Sequence, residues 1–229
     1  MISAINRAIT QLGDPAFRSV LFKALGLTLV IYILVGFGAT QAFSFVPTFD
    51  YQWVNTAIGI LAGLGFLLGG FFLFPLIISA LIGIFLDDIS DAVERQYYAT
   101  DPPGKSLSLM DSIWDALKFL ALVVGCNILV LPLYFVPVIN LFVYYLLNGY
   151  LISREYFHMV AVRHHPLEEV TRLRKRNGGE LYMMGIVIAF SLTIPIVNLV
   201  APIVATAAMV HLYKKRVGSI AKKRELVVP

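Results

Sequence analysis

Long apolar runs alternate with short charged segments along this chain. The first run extends from about Ala24 to Val46 and the second from Trp53 to Leu86, the second without one charged side chain. A helix crossing the hydrocarbon of a bilayer needs about 20 residues at ~1.5 Å rise each. Each run therefore predicts a transmembrane helix, assigned to 19–46 and 53–86, and the second run exceeds one span. Pro75 is expected to break or kink it near its far end. The linker between them, Pro47 to Gln52, carries Asp50 and neither Lys nor Arg, which marks it as the translocated side.

From Asp87 the pattern turns amphipathic. Ile89, Ala92, Val93 and Tyr97 fall on one helical face, with Asp87, Asp88, Asp91, Glu94 and Arg95 on the remainder. This predicts an interfacial helix over 87–99. After a loop at Asp101-Pro102-Pro103-Gly104, Ser108 and Asp111 are spaced as a capping box, and a new helix runs from there into the membrane.

Two further apolar stretches, Leu117 to Ser153 and Leu181 to Tyr213, are each interrupted near the middle by proline. Pro137-Val138-Ile139-Asn140-Leu141-Phe142 in the first aligns with Pro195-Ile196-Val197-Asn198-Leu199-Val200 in the second. Their arms, about 12 to 17 residues, are shorter than a full crossing needs, so 108–153 and 181–213 are expected to be re-entrant helical hairpins. Two tight-turned pairs of complete crossings give the same sidedness. Non-helical backbone at such tips needs cover from protein or water, which predicts packing within an assembly. The fold class is an all-α integral membrane protein in one membrane domain over 1–229: two long spans, two proline-tipped hairpins and interfacial amphipathic helices.

Composition agrees, with 59% hydrophobic and 14% charged residues. An ordinary soluble domain has roughly 25% charged residues. The net charge of +4 does not point to nucleic acid, because the basic residues flank the apolar runs and form no groove interleaved with aromatics. Six lie in the linker 154–180 (Arg154, Arg163, Arg172, Arg174, Lys175, Arg176) and six in the tail 214–229 (Lys214, Lys215, Arg216, Lys222, Lys223, Arg224). With Arg7, Arg18 and Lys23 they place the amino terminus, linker and tail together in the cytoplasm, facing anionic head groups. Cys126, the one cysteine, supports neither a disulfide framework nor a thiolate metal site.

The sharpest local feature is Asp14-Pro15-Ala16-Phe17-Arg18. Asp14 suits the N-cap and Pro15 the first helical position, leaving backbone N–H groups unpaired at the positive end of the helix dipole, with Arg18 one turn in. A sulfate or phosphate could bind there. The plainer reading is a capped helix with a positive-inside arginine, and the Asp14 carboxylate competes for the same donors. Asn140 and Asn198, matched by the repeat, either line a path or hydrogen-bond helix to helix. His158, His164, His165, Glu168 and Glu169 fit no metal-ligand spacing and read as interfacial surface. Gly59-x-x-x-Gly63 and Gly65-x-x-x-Gly69 have the spacing of close helix contacts. No carboxylate at membrane depth supplies proton or sodium coupling, and no nucleophile, base or metal constellation suggests an enzyme. A non-transporting membrane scaffold or envelope-assembly protein is the alternative to a permease.

The stretch Asn148-Gly149-Tyr150-Leu151-Ile152-Ser153-Arg154-Glu155-Tyr156-Phe157 resembles one in the family of CysZ-like and etoposide-induced 2.4-like membrane proteins. The Leu131-Pro132 to Pro137 tip, the Phe74-Pro75 feature followed by an acidic amphipathic helix, and the Arg-rich linker are similar too. The resemblance covers about residues 10 to 215. It implies a homo-oligomer in a bacterial inner membrane, permeating sulfate or a related oxyanion for cysteine biosynthesis; the residues themselves lead to the expectation of no cofactor or metal. The family's Gly-Leu-Arg sulfate-binding motif falls at Ala16-Phe17-Arg18, of which only Arg18 matches.

Overall fold

The computed structural model describes residues 1–46, 49–105 and 107–225, with the backbone alone for Leu109 and 218–225. Pro47 and Thr48 of the linker expected on the translocated side, the end of the tail, and the side chains of Lys222, Lys223 and Arg224 lie outside the described residues. Every regular element among those described is helical: α1 (Ile2–Thr10), α2 (Pro15–Phe43), α3 (Gln52–Ile84), α4 (Leu86–Tyr97), α5 (Leu109–Tyr134), α6 (Ile139–Ala161), α7 (Leu167–Arg176), α8 (Gly178–Leu192), the short α9 (Pro195–Asn198) and α10 (Ala201–Glu225). A 3₁₀ turn, Gln11–Gly13, joins α1 to α2.

Three helices, α2, α3 and α5, are long and apolar enough to cross a membrane. Their outer faces carry large apolar side chains with no cover from the chain: Leu129 is 81% exposed and Phe71 74%. Surface of this kind belongs against lipid or another subunit. The third long helix exceeds the two expected. Ser108 starts it as predicted: its hydroxyl accepts from the Asp111 N–H at 3.2 Å and donates to the Asp111 carboxylate at 2.6 Å. Pro132 lies inside α5 without ending it. Pro75 likewise sits within α3, which continues to Ile84, so the expected break does not occur.

The first hairpin turns between α5 and α6 at Val138, whose φ of 68° lies in the left-handed region, an uncommon state for a β-branched residue. With arms of 26 and 23 residues it has the length for full crossings. The arm α8, at 15 residues, extends only ~22 Å, short of the ~30 Å hydrocarbon thickness.

The core centres on α10, which packs against α1, α3, α4, α6 and α8. From Ala205 to Tyr213 every one of its residues is buried. Alanines at 205, 207 and 208 bring the neighbours close to its axis, while Met209, Leu212 and Tyr213 fill the space between them. Helix α1, which the hydropathy pattern did not reveal, docks here through Ala4 and Ala8. The tightest crossing is α6 on α8. A methyl group on Gly185 would overlap the Gly149 carbonyl and stand 2.7 Å from Ser153 Cβ, and one on Gly149 would stand 2.6 Å from Ile186 Cγ1. The glycines singled out on α3 behave differently: a Cβ at Gly59, Gly63, Gly65 or Gly69 meets nothing within 4 Å. The close helix contact expected of their spacing is therefore not made at these positions among the described residues.

Gly185→Ala is expected to lower the melting temperature of the detergent-solubilised protein, because forcing a methyl into this crossing costs about 1–3 kcal/mol. Gly26→Ala, in an open position on α2, should leave the melting temperature unchanged or slightly raised. Equal melting of the two variants would contradict the crossing described.

Candidate functional site

The first turn of α2 forms where the sequence places it. Asp14 is extended, Pro15 takes the first helical position, and the Asp14 carbonyl accepts from the Arg18 N–H at 3.2 Å. Pro15 has no N–H, so Ala16 and Phe17 carry the orphan donors of this turn. The Asp14 side chain makes no cap, and its Oδ2 is buried without a hydrogen-bond partner among the described residues. Phe17 inserts its ring into the core and Ala16 is partly buried, while Arg18 is exposed. The three predicted residues are thus contiguous, yet only Arg18 offers a side chain to a ligand. The neighbouring Asp14 carboxylate opposes an anion at the same donors.

Asn140 is exposed and Asn198 half-buried, each just beyond its tip proline. Neither side chain hydrogen-bonds another helix within the described residues. Several other polar groups of the apolar segments bond back to their own helix. Asn127 Nδ2 donates to Val123 O, and Asn148 Nδ2 to Tyr144 O, both at 2.8 Å. Ser191 and Thr206 bond the carbonyl four residues back in the same manner.

The most built polar site was not foreseen in the sequence. Arg163, just beyond α6, has a buried side chain and pairs with Asp87 at 3.3 Å, with Asp91, and with Glu94 at 3.7 Å. Glu94 is buried too, accepting from the Gly104 N–H at 3.1 Å and meeting His164 Nε2 at 2.7 Å. The Lys105 N–H donates to the Arg163 carbonyl at 2.9 Å. Gly104 is required where it stands, since a Cβ there would lie 2.7 Å from Arg163 Nε. The His164 ring stacks on Tyr213 with centroids 5.3 Å apart. Arg163, Glu94 and His164 together fasten α4, the Pro102-Pro103-Gly104 loop and the end of α6 to the central helix.

This network corrects the predicted face of α4. The buried stripe is Leu86, Ile89, Ser90, Val93 and Glu94, while Tyr97 is exposed. Arg163 and His164 draw the acid inward, a pairing that periodicity does not report. Burial alone would push the Glu94 carboxyl up, but the His164 hydrogen bond, the Gly104 N–H and the charges of His164 and Arg163 hold it below its ordinary value.

The remaining histidines are engaged separately: His158 Nε2 with Asp115 at 3.1 Å and His165 Nδ1 with Glu169 at 3.2 Å. Among the described residues no three metal-ligating side chains converge. Further pairs gather the same segments: Lys23 with Asp88, Lys214 with Asp101, and Arg216 with Glu180. Gln11 and Tyr98 meet the two nitrogens of His211 at 2.9 and 2.8 Å. The amino-terminal segment, α4, the basic linker and the start of the tail are therefore joined to one another.

Three span-length apolar helices and a charged assembly that ties their connecting segments together define an all-helical integral membrane protein. The sequence signature of the family described as sulfate transporter CysZ/etoposide-induced protein 2.4 matches residues 4–202. The chain belongs to that family. Comparison with individually curated proteins finds no match.

Removing the guanidinium by Arg163→Met is expected to destabilise the protein by about 3–5 kcal/mol, the cost of leaving a buried partner charge uncompensated. Chemical denaturation checks this. A carboxylate with a lowered pKa stabilises the fold above its unfolded pKa, and that contribution is lost as pH falls through the folded value. Stability should therefore decline as pH drops below about 4.3. The decline should be shallower in Glu94→Gln, as measured by melting temperature against pH.

Proposed function

We propose that this protein is an oligomeric permease for sulfate or a related tetrahedral oxyanion, feeding sulfur assimilation and cysteine biosynthesis from a bacterial inner membrane. The single observation that carries the reading is the family match over residues 4–202, whose description includes a sulfate transporter. Arg18, exposed at the start of the first long helix, is the proposed entry contact, with the Ala16 and Phe17 N–H groups beside it. Helices α2 and α3 contain no Asp or Glu, which favours passive or gradient-driven flux over proton or sodium coupling. The uncovered glycines of α3 favour contact with neighbouring copies. In this reading the amino terminus, the linker 154–180 and the tail are cytoplasmic, the hairpins enter from that face, and Asn140 and Asn198 border the path at the tips.

A second reading, a non-transporting membrane scaffold, is favoured by a different observation. Several polar side chains of the apolar segments hydrogen-bond their own helices, as Asn127 and Asn148 do, which leaves fewer groups free to line a path.

Liposomes carrying the purified protein should take up radiolabelled sulfate above the level of empty liposomes. Arg18→Ala should reduce the initial rate at least about tenfold, the effect of losing a charge-assisted contact. Uptake equal to that of empty liposomes would reject the permease and leave the scaffold.

A further inference from the structure

A second arginine, distant in role from Arg18, lacks a partner where one is needed. Arg154, near the end of α6, has its Nη1 buried with no hydrogen-bond partner among the described residues. It lines a cavity of about 160 Å³ enclosed by the start of α5, the end of α6 and α7. This is well above the ~10–15 Å³ that one water requires. Arg174, half-buried on α7, and Lys118, on α5, line the same space.

The acidic groups there do not neutralise the two arginines. Asp115 is already engaged by Lys118 at 3.2 Å and by His158 at 3.1 Å. Glu155 makes no ion pair with Arg154 or Arg174 among the described residues. Burial first of all raises its carboxyl above the ordinary value, against the lowering effect of His158 and Arg154. Arg154 and Arg174 line the one cavity, and burial, then the charge of Arg154, press the Arg174 guanidinium below its ordinary value. Arg154 is half-buried, and a guanidinium nitrogen buried with no acceptor is costly, while its planar fork of donors matches the oxygens of a tetrahedral oxyanion.

We infer that the α5–α6–α7 cavity is an oxyanion-binding site, in which Arg154 and Arg174 hold a sulfate or phosphate group in their fork while Lys118 adds charge at the rim. The group is either a free inorganic ion or the phosphodiester of an anionic lipid, since α5 is span-length and the cavity lies at its charged end, where lipid head groups sit. The site is separate from the permeation reading, because it requires binding and no flux.

The test uses the full chain with no gradient. In one arm, equilibrium binding of radiolabelled sulfate and of inorganic phosphate is measured in neutral detergent. In the other, retention of phosphatidylglycerol is measured on protein extracted from phosphatidylcholine vesicles containing it. Arg154→Gln and Arg174→Gln should each lower affinity about tenfold in the arm that shows binding. Lys105→Gln, an exposed lysine outside the cavity, should leave it unchanged. Arg154→Lys, which keeps the charge and loses the fork, should lie between. If Arg154→Gln does not fold, Arg174→Gln and Arg154→Lys decide the matter.

Loss confined to the detergent arm identifies a free oxyanion as the ligand, and loss confined to the vesicle arm identifies a head group. Absence of binding in both arms, or binding indifferent to Arg154 and Arg174, overturns the site. Retained binding in an Arg18→Ala variant that has lost sulfate uptake would uphold this site and the entry contact separately.

Discussion

A guanidinium withdrawn from water is costly unless opposite charge is brought to meet it, and Arg163 imposes that condition on this protein. Meeting it turns Glu94 into the core, fixes the rotation of α4, forces a glycine at 104, and sets His164 against Tyr213 of the central helix. The apolar helices alone would leave their relative rotation poorly specified, since Leu, Phe and Ile side chains pack adequately in several registers. A buried ion pair adds little net stability over an apolar substitute, but it penalises every arrangement in which the partners fail to meet. The charged end of this molecule thus selects one packing of helices that lipid would otherwise let slide.

Much of the architecture was legible in local pattern. The spans α2 and α3 follow from run length, α5 from the Ser108–Asp111 cap, and the α4 helix from its alternation of acids and aliphatics. These are properties of neighbouring residues, which a linear reading can weigh. What escaped it depends on partners far apart in sequence. Glu94 reads as a solvent-facing acid until Arg163 is placed beside it, and α1 is too short and too mixed in character to register beside long apolar runs. The glycine spacing on α3 showed small residues but not what they face. The tightest approach uses Gly149 and Gly185, one from each of two helices, which no motif within a single helix can display.

The candidate sites divide along the same line. Arg18 was legible because a helix start is a local event, signalled by Asp14 and Pro15. Its surroundings were not: the buried Phe17 ring and the unpartnered Asp14 oxygen are consequences of packing. In the sequence Arg154 was visible as one basic residue of the linker and a member of the family-like stretch Asn148 to Phe157. Its distinction comes from the walls that α5 and α7 raise around it, which deprive one guanidinium nitrogen of water.

The position of the hub helix bears on how the molecule is made. α10 lies downstream of every helix it packs against, so α1, α3, α4, α6 and α8 emerge and insert before the surface that joins them exists. At roughly 5–20 residues per second of synthesis, the ~200 residues from Ala4 to Met209 separate α1 from its docking groove by roughly 10–40 seconds. For the last ~50 residues of it, roughly 2–10 seconds, the ribosome-bound chain holds Arg163, its carboxylates and His164 without the Tyr213 ring that later stacks on His164. The order of translation therefore makes the last helix a closing key, and a chain interrupted before Tyr213 would present quality-control proteases with an open bundle.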